Sequence, residues 1–197
     1  MLPVRTATPR DLAAIGEVLA RAFHTDPVSL WLMPDEDARR RRSPAMFRAS
    51  ARNGLEKGGV WTTDPVRGAA LWCAPGRWKD RPREVVRQLP ALAALGRNVP
   101  RALRTFRLLE RHHPTEEHWY LDIIGTDPDH QGTGVGSALL RPVLARCDDE
   151  VLPAYLVSSN VANIPFYERH GFRLMDEITV PGGPVMYPMW RDPRPTP

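Results

Sequence analysis

The sequence predicts a single mixed α/β domain, and three observations carry that prediction. Some stretches place apolar residues at helical spacing and others are short runs rich in β-branched and aromatic residues. The two kinds of segment alternate along the chain. A glycine-rich turn at Gln131–Gly136 joins an apolar run directly to a helical pattern. The 197 residues suffice for one well-buried core and do not require two. An apolar share of 42% beside a charged share of 25% is ordinary globular usage and argues against a disordered or fibrous chain.

Taken in order, Val4 to Thr6 reads as a first strand. After Pro9, residues Leu12, Ile15, Val18, Leu19 and Ala22 fall on one helical face, with Asp11 in the first turn. A second helix is predicted from about Asp35 to Lys57, stopped by Gly58 and Gly59. Val60–Thr63 and Ala69–Cys73 form paired strands around the turn Asp64–Gly68. Residues 74–117 carry helical spacing (Val85, Leu89, Leu92; then Leu103, Phe106, Leu109) between prolines, and predict two inserted helices able to form part of a substrate pocket. His118–Thr126 is the next strand, ended by the breaker Asp127-Pro128-Asp129. Beyond the glycine turn come a helix (Ala138, Leu139, Leu140, Val143, Leu144), a strand over Ala154–Ser158, and a short helix over Asn160–His170. Two closing strands follow around Pro181–Pro184.

Several function classes are disfavoured. A net charge of +4 and a pI near 9.5 would suit nucleic acid, but only two of the 27 basic residues are lysine and the arginines are scattered. The densest run, Arg39–Arg42, is expected to be a solvated helix face. Cys73 and Cys147 lack metal-ligand or disulfide spacing and are expected to be buried, and the six histidines form no HExxH-like arrangement, so no metal site is expected. No stretch approaches the roughly 20 apolar residues that span a bilayer, and Met1–Pro9 lacks the pattern of a signal peptide. The expectation is a cytoplasmic monomer or homodimer, with no nucleic-acid or membrane partner.

A glycine turn at a helix N-terminus lets backbone N–H groups approach an anion unobstructed, and the helix dipole adds favourable partial charge. Phosphate or pyrophosphate is the natural ligand. The spacing here is GxGxG late in the chain, unlike the early GxGxxG of dinucleotide sites, and no lysine follows Gly136 as a P-loop requires.

The run Asp129-His130-Gln131-Gly132-Thr133-Gly134-Val135-Gly136 resembles the pyrophosphate loop (Q/R-x-x-G-x-G/A) of the GCN5-related N-acetyltransferases, the GNAT family. About 30 residues later, Asn160 to Phe172 is similar to that family's N-x-x-A-x-x-x-Y-x-x-x-G-F pattern, with Asn163 in place of the usual alanine. Pro153–Leu156, Pro165–Arg169, Val180-Pro181 and Gly183-Pro184 further resemble the puromycin acetyltransferase branch. The chain departs from that branch at Asp26, where a tyrosine is expected, and at Val157, where a glutamate is expected, which points away from puromycin itself.

The resemblance implies a GNAT fold, with a mixed, mostly antiparallel sheet split near the cofactor, and acetyl-CoA as acyl donor to a small-molecule amine. It implies cofactor contacts from Ile124 and Thr126, from Gln131, Gly132, Thr133, Gly134, Val135, Gly136 and Ser137, and from Asn160 and Asn163. Of the two asparagines, Asn160 has the family spacing before Tyr167 and Asn163 is read as a helix cap. It also implies Tyr167 as the acid that protonates the departing thiolate and an N–H near Ile124 facing the developing oxyanion. An aliphatic amine is protonated at neutral pH and needs a base. Asp122 is the first candidate, with Asp26, Glu116 and Glu117 competing. Asp26, Trp31, Trp119 and Tyr120 are read as acceptor-pocket residues. The rival functions are a protein lysine or N-terminal acetyltransferase and a non-catalytic acyl-CoA sensor.

Overall fold

The short apolar runs assemble into one eight-stranded sheet in the computed structural model, which describes residues 2–194. The strands are β1 (Val4–Thr6), β2 (Gly58–Thr63), β3 (Gly68–Cys73), β4 (Trp119–Thr126), β5 (Ala154–Ser158), β6 (Arg173–Leu174), β7 (Ile178–Thr179) and β8 (Val185–Arg191). Their order across the sheet is β1-β2-β3-β4-β5-β8-β6, and β7 also pairs with β8. Every pairing is antiparallel except that of β4 with β5. Parallel neighbours need a crossover connection, and the glycine loop with its helix supplies it.

The helices are α1 (Leu12–Ala22), α2 (Pro27–Leu32), α3 (Glu36–Lys57), α4 (Pro82–Ala94), α5 (Val99–Arg111), α6 (Val135–Asp149) and α7 (Ile164–Arg169). The sheet alternation divides the core into two layers. Trp72, Trp119, Leu121 and Leu156 pack against Val135, Leu139 and Leu140 of α6 and Tyr167 of α7. Val60, Ala69 and Leu71 pack against Ile15 and Leu19 of α1 and Phe47 and Ala51 of α3. Each buried Val, Leu, Ile or Phe among them contributes about 1.5–3 kcal/mol, so each helix is held mainly by its apolar face. Gly125 of β4 lets α1 lie directly on the strand, since a Cβ there would stand 2.8 Å from Leu19 and 3.0 Å from Ala22. The inserted α4 rests on α3, while Leu108 and Leu109 of α5 cover Val157, Ile178, Val180 and Met186 on the second sheet face.

Four readings of the sequence are corrected here. α2 was not anticipated; its six residues are too few for a period, and it is started by Asp26, whose carboxylate accepts from the N–H groups of Val28 (2.9 Å) and Ser29 (3.1 Å). Arg39 is not solvated: it is buried and donates to the carbonyls of His24 (2.9 Å) and Met33 (2.7 Å), joining α3 to the chain before it. The segment after Asn160 divides into a 3-10 turn, Val161–Asn163, and then α7. The closing segment holds three strands in place of two. Both cysteines are buried thiols.

Candidate active site

β3 and β4 stay paired as far as Thr126, but β4 and β5 pair only through Trp119–Ala154, Tyr120–Tyr155 and Leu121–Leu156. Beyond Leu121 the two strands part. In an antiparallel ladder alternate residues turn their N–H and C=O groups away from the partner strand, so along Asp122–Thr126 those groups face the gap without a strand to receive them. The gap is a cleft walled by Phe23, Leu121–Ile124, Leu156–Ser159, Asn163 and Tyr167. The β3 register places Leu71 opposite Ile123 but the next residue, Trp72, opposite Leu121. Asp122 is therefore the extra residue of a β-bulge, a device that redirects a side chain and is common beside active sites.

The glycine loop opens near one end of this cleft. Gly132 (φ 73°) and Gly134 (φ 87°) are in the left-handed region that favours glycine, and a Cβ on either would meet nothing within 4 Å. The loop is thus bare of side chains on its open side. The first intrahelical bond of α6 runs from Ala138 N–H to Gly134 C=O (3.0 Å), which leaves the N–H groups of Val135, Gly136 and Ser137 without a helical acceptor. A Cβ at Gly136 would stand 3.1 Å from the Phe166 ring, so α7 closes one side. Gln131 donates its side-chain amide to Thr126 C=O (3.3 Å), and Thr133 donates to His130 C=O (2.6 Å), so both side chains brace the loop. Ser137 is engaged with His170 Nε2 at 2.9 Å. These features suit a pyrophosphate held by main-chain donors.

Two ionisable groups share the cleft walls. Burial, helped by the nearby charge of Asp26, pushes the Tyr167 phenol well above its ordinary pKa, so it keeps its proton throughout the neutral range. Asp122 projects from the bulge into the cleft mouth, where its side chain is exposed to solvent. The crowding of protein raises its pKa, Lys57 opposes the shift, and Asp80 adds to it. Half-buried Asp26 also has a raised pKa, from burial, and accepts a short hydrogen bond from the Ser159 hydroxyl.

The two asparagines are placed otherwise than their sequence reading as cofactor contact and helix cap. Asn160 caps the 3-10 turn, its side-chain oxygen accepting from Ala162 N–H at 3.0 Å, whereas Asn163 makes no capping bond and lines the cleft. Trp119 is placed away from the cleft, fully buried under α6 with its indole N–H donated to Glu150 (3.0 Å) and Arg146 over its ring. Tyr120 points to the other sheet face, beside Tyr155 and His113. Trp31 packs under Gly183 with Arg101 stacked 4.0 Å from its ring, and Arg101 donates to Trp31 C=O (2.7 Å), tying α5 to α2. Glu116 and Glu117 are exposed just before β4. Sequence reasoning missed Phe23 and Ser159; the Asp26-Pro27 start signal for α2 was the available pointer to that corner. Among the described residues, no group of three or more His, Cys, Asp or Glu is placed to hold a metal, and no helix is long and apolar enough to cross a membrane.

The family model of the Acetyltransferase (GNAT) family matches residues 68–172, which run from β3 through the cleft and loop to just past α7. The chain belongs to the GNAT family. It is an N-acetyltransferase, and members of this family use acetyl-CoA. An uncharacterized N-acetyltransferase of Schizosaccharomyces pombe is 29% identical over 186 residues, covering 86% of this chain and 73% of that protein. Among solved structures, a histone acetyltransferase HPA2 and related acetyltransferase from Corynebacterium glutamicum superposes with a TM-score of 0.67 at 27% identity, over 100% of this GNAT chain and 99% of that one. Arylalkylamine N-acetyltransferase 2 from Aedes aegypti gives 0.65 at 13% identity over 98% and 99%, a likeness of fold alone. These matches establish the GNAT family and not the puromycin branch within it.

Proposed function

We propose that this enzyme transfers the acetyl group of acetyl-CoA to a primary amine of a small molecule by direct attack. The observation that carries the reading is the cleft itself, where a phenol kept protonated by burial and a carboxylate of raised pKa line one gap between splayed strands. Acetyl-CoA supplies an activated thioester. The main-chain donors at Gly134–Ser137 hold its pyrophosphate, and the unpaired edge of β4 with Asn163 holds its amide-rich arm as an added strand would be held. Asp122, directly or through one water, takes a proton from the acceptor ammonium, so that the nitrogen lone pair is free to attack. The N–H of Ile124 faces the acyl oxygen as negative charge develops there. As the N–C bond forms and the C–S bond breaks, Tyr167 gives its proton to the sulfur; the second proton shed by the nitrogen passes through water to restore the Tyr167 phenol, and Asp122 releases its own proton to solvent.

Enclosure on the acceptor side supports a small substrate. Phe23 and Asp26 close one side, Asp26 through its bond to Ser159, and α5 covers the sheet face beyond Val157. Among the described residues, the cleft walls carry no Lys, Arg or His, which suits an acceptor arriving as a cation. A peptide acceptor is the competing reading, favoured by the name of the C. glutamicum neighbour. Thiol release measured with arylalkylamines, polyamines, aminoglycosides, puromycin and a lysine peptide decides between them. A small amine is expected to give the highest kcat/KM, and preference for the peptide would overturn the substrate reading.

A further inference from the structure

The helical insertion between β3 and β4 brings a charged side chain, Asp80, to the end of the sheet that carries Asp122. Lys57 is the last residue of α3 and is buried, its Nζ 2.6 Å from Asp80 Oδ1 and donated to Trp78 C=O at 3.3 Å. Asp80 and Trp78 both lie on the loop that leads into α4. That loop is fixed at two further points: Arg77 pairs with fully buried Glu84 at 3.0 Å, and Trp78 stacks on His113 with ring centroids 3.7 Å apart. Strand register carries the pair to the bulge. Gly58, directly after Lys57, stands opposite Cys73, Cys73 stands opposite Tyr120, and Asp122 is the bulged residue two further along β4.

We propose that Lys57 and Asp80, an ion pair built jointly by α3 and the insertion, are positioning residues for Asp122 that tune proton transfer from the acceptor amine. The inference rests on the reading of Asp122 as the base. Lys57 is the buried member of the pair and Asp80 reaches solvent, so the pair is a poor source of stability: desolvating the ammonium offsets most of what its attraction to a solvated carboxylate returns. An apolar pair of similar volume would hold the insertion as well, so packing alone gives no reason for a charge at this place. The groups facing Asp122 are Lys57 from α3, Asp80 from the inserted loop, Cys73 from β3 and Tyr120 from its own strand, with Tyr167 across the cleft. Burial raises the Cys73 thiol and the Tyr120 phenol, leaving both neutral, so near neutral pH Lys57 and Asp80 are the charges that act on Asp122. They act with opposite sign, and the pair balances them.

That opposition gives a test that a purely structural role would not pass. A base must be deprotonated to act, so kcat/KM rises with pH through the pKa of Asp122. Lys57→Met leaves Asp80 uncompensated and is expected to move this acid limb to higher pH. Asp80→Asn leaves Lys57 uncompensated and is expected to move it to lower pH. Each shift should be about half a unit or more, and Lys57→Arg, which keeps the charge, should restore the wild-type limb. Should Lys57→Met not fold, the downward shift in Asp80→Asn remains diagnostic. Asp122→Asn is the control for the underlying reading. An acid limb that survives in Asp122→Asn means that Asp122 is not the base. A limb abolished there but unmoved, or moved the same way, in the two pair variants overturns the role of Lys57 and Asp80.

Discussion

The chemistry proposed for Tyr167 depends on where α7 puts it. Its hydroxyl lies in the cleft wall while its ring packs edge-on against Phe172 and Phe166, so burial both orients the group and keeps it protonated. Tyr167→Phe removes the hydroxyl and preserves that packing. Turnover is expected to fall by about 10²-fold or more, within the usual range for a lost general acid, with CoA affinity unchanged in calorimetry. An equal loss in affinity would make the hydroxyl a binding group instead. That Tyr167 and Asp122 line the cleft was legible in the sequence because each sits in a recognisable pattern, one in the Asn160–Phe172 signature and the other in the strand before the glycine loop. The division of labour between Asn160 and Asn163 was not, because either amide can cap a helix and only the fold decides which one turns to the gap. Trp119 was misplaced for a related reason. One residue along a strand reverses the sheet face, and sequence alone does not say which face carries the site.

At the scale of elements, the glycine loop separates binding from stability. Gly134 occupies a left-handed conformation with open space around the position of a Cβ. Gly134→Val therefore creates no clash; it costs about 1–2 kcal/mol in backbone strain and sets a branched side chain beside the main-chain donors. The expected result is a folded protein whose affinity for CoA falls at least about tenfold, a loss of the order that about 1.4 kcal/mol carries. Unchanged affinity would show that the cofactor does not use the loop. Long periodic elements such as α1, α3 and α6 were readable from apolar spacing, and the loop from its glycines. α2 and the short strands after Gly171 were not, since six residues or fewer carry no period and form because Asp26, Ser159 and β8 are already in place.

Across the molecule, the proposed function depends on two strands diverging after three residue pairs, and no local signal encodes that divergence. The order of strands and helices was legible and led to the fold; the bulge at Asp122, the cover provided by α5 and the reach of Lys57 to the insertion arise from contacts between residues far apart in sequence. The far end of the sheet is secured separately. Buried Arg191 of β8 makes a two-pronged pair with Asp148 of α6, at 2.8 and 2.7 Å. Removing one partner of such a pair leaves the other charge uncompensated, so Arg191→Met is expected to destabilise the fold by about 3 kcal/mol. Thermal melts should show the loss, while kcat at low temperature stays near wild type. A fall in kcat without a fall in Tm would place Arg191 in the chemistry. The most direct test of the central claim is a calorimetric titration of the purified protein with coenzyme A. The cleft and loop predict saturable one-to-one binding that Gly134→Val weakens and Tyr167→Phe does not, whereas no binding by the wild-type protein would contradict the account.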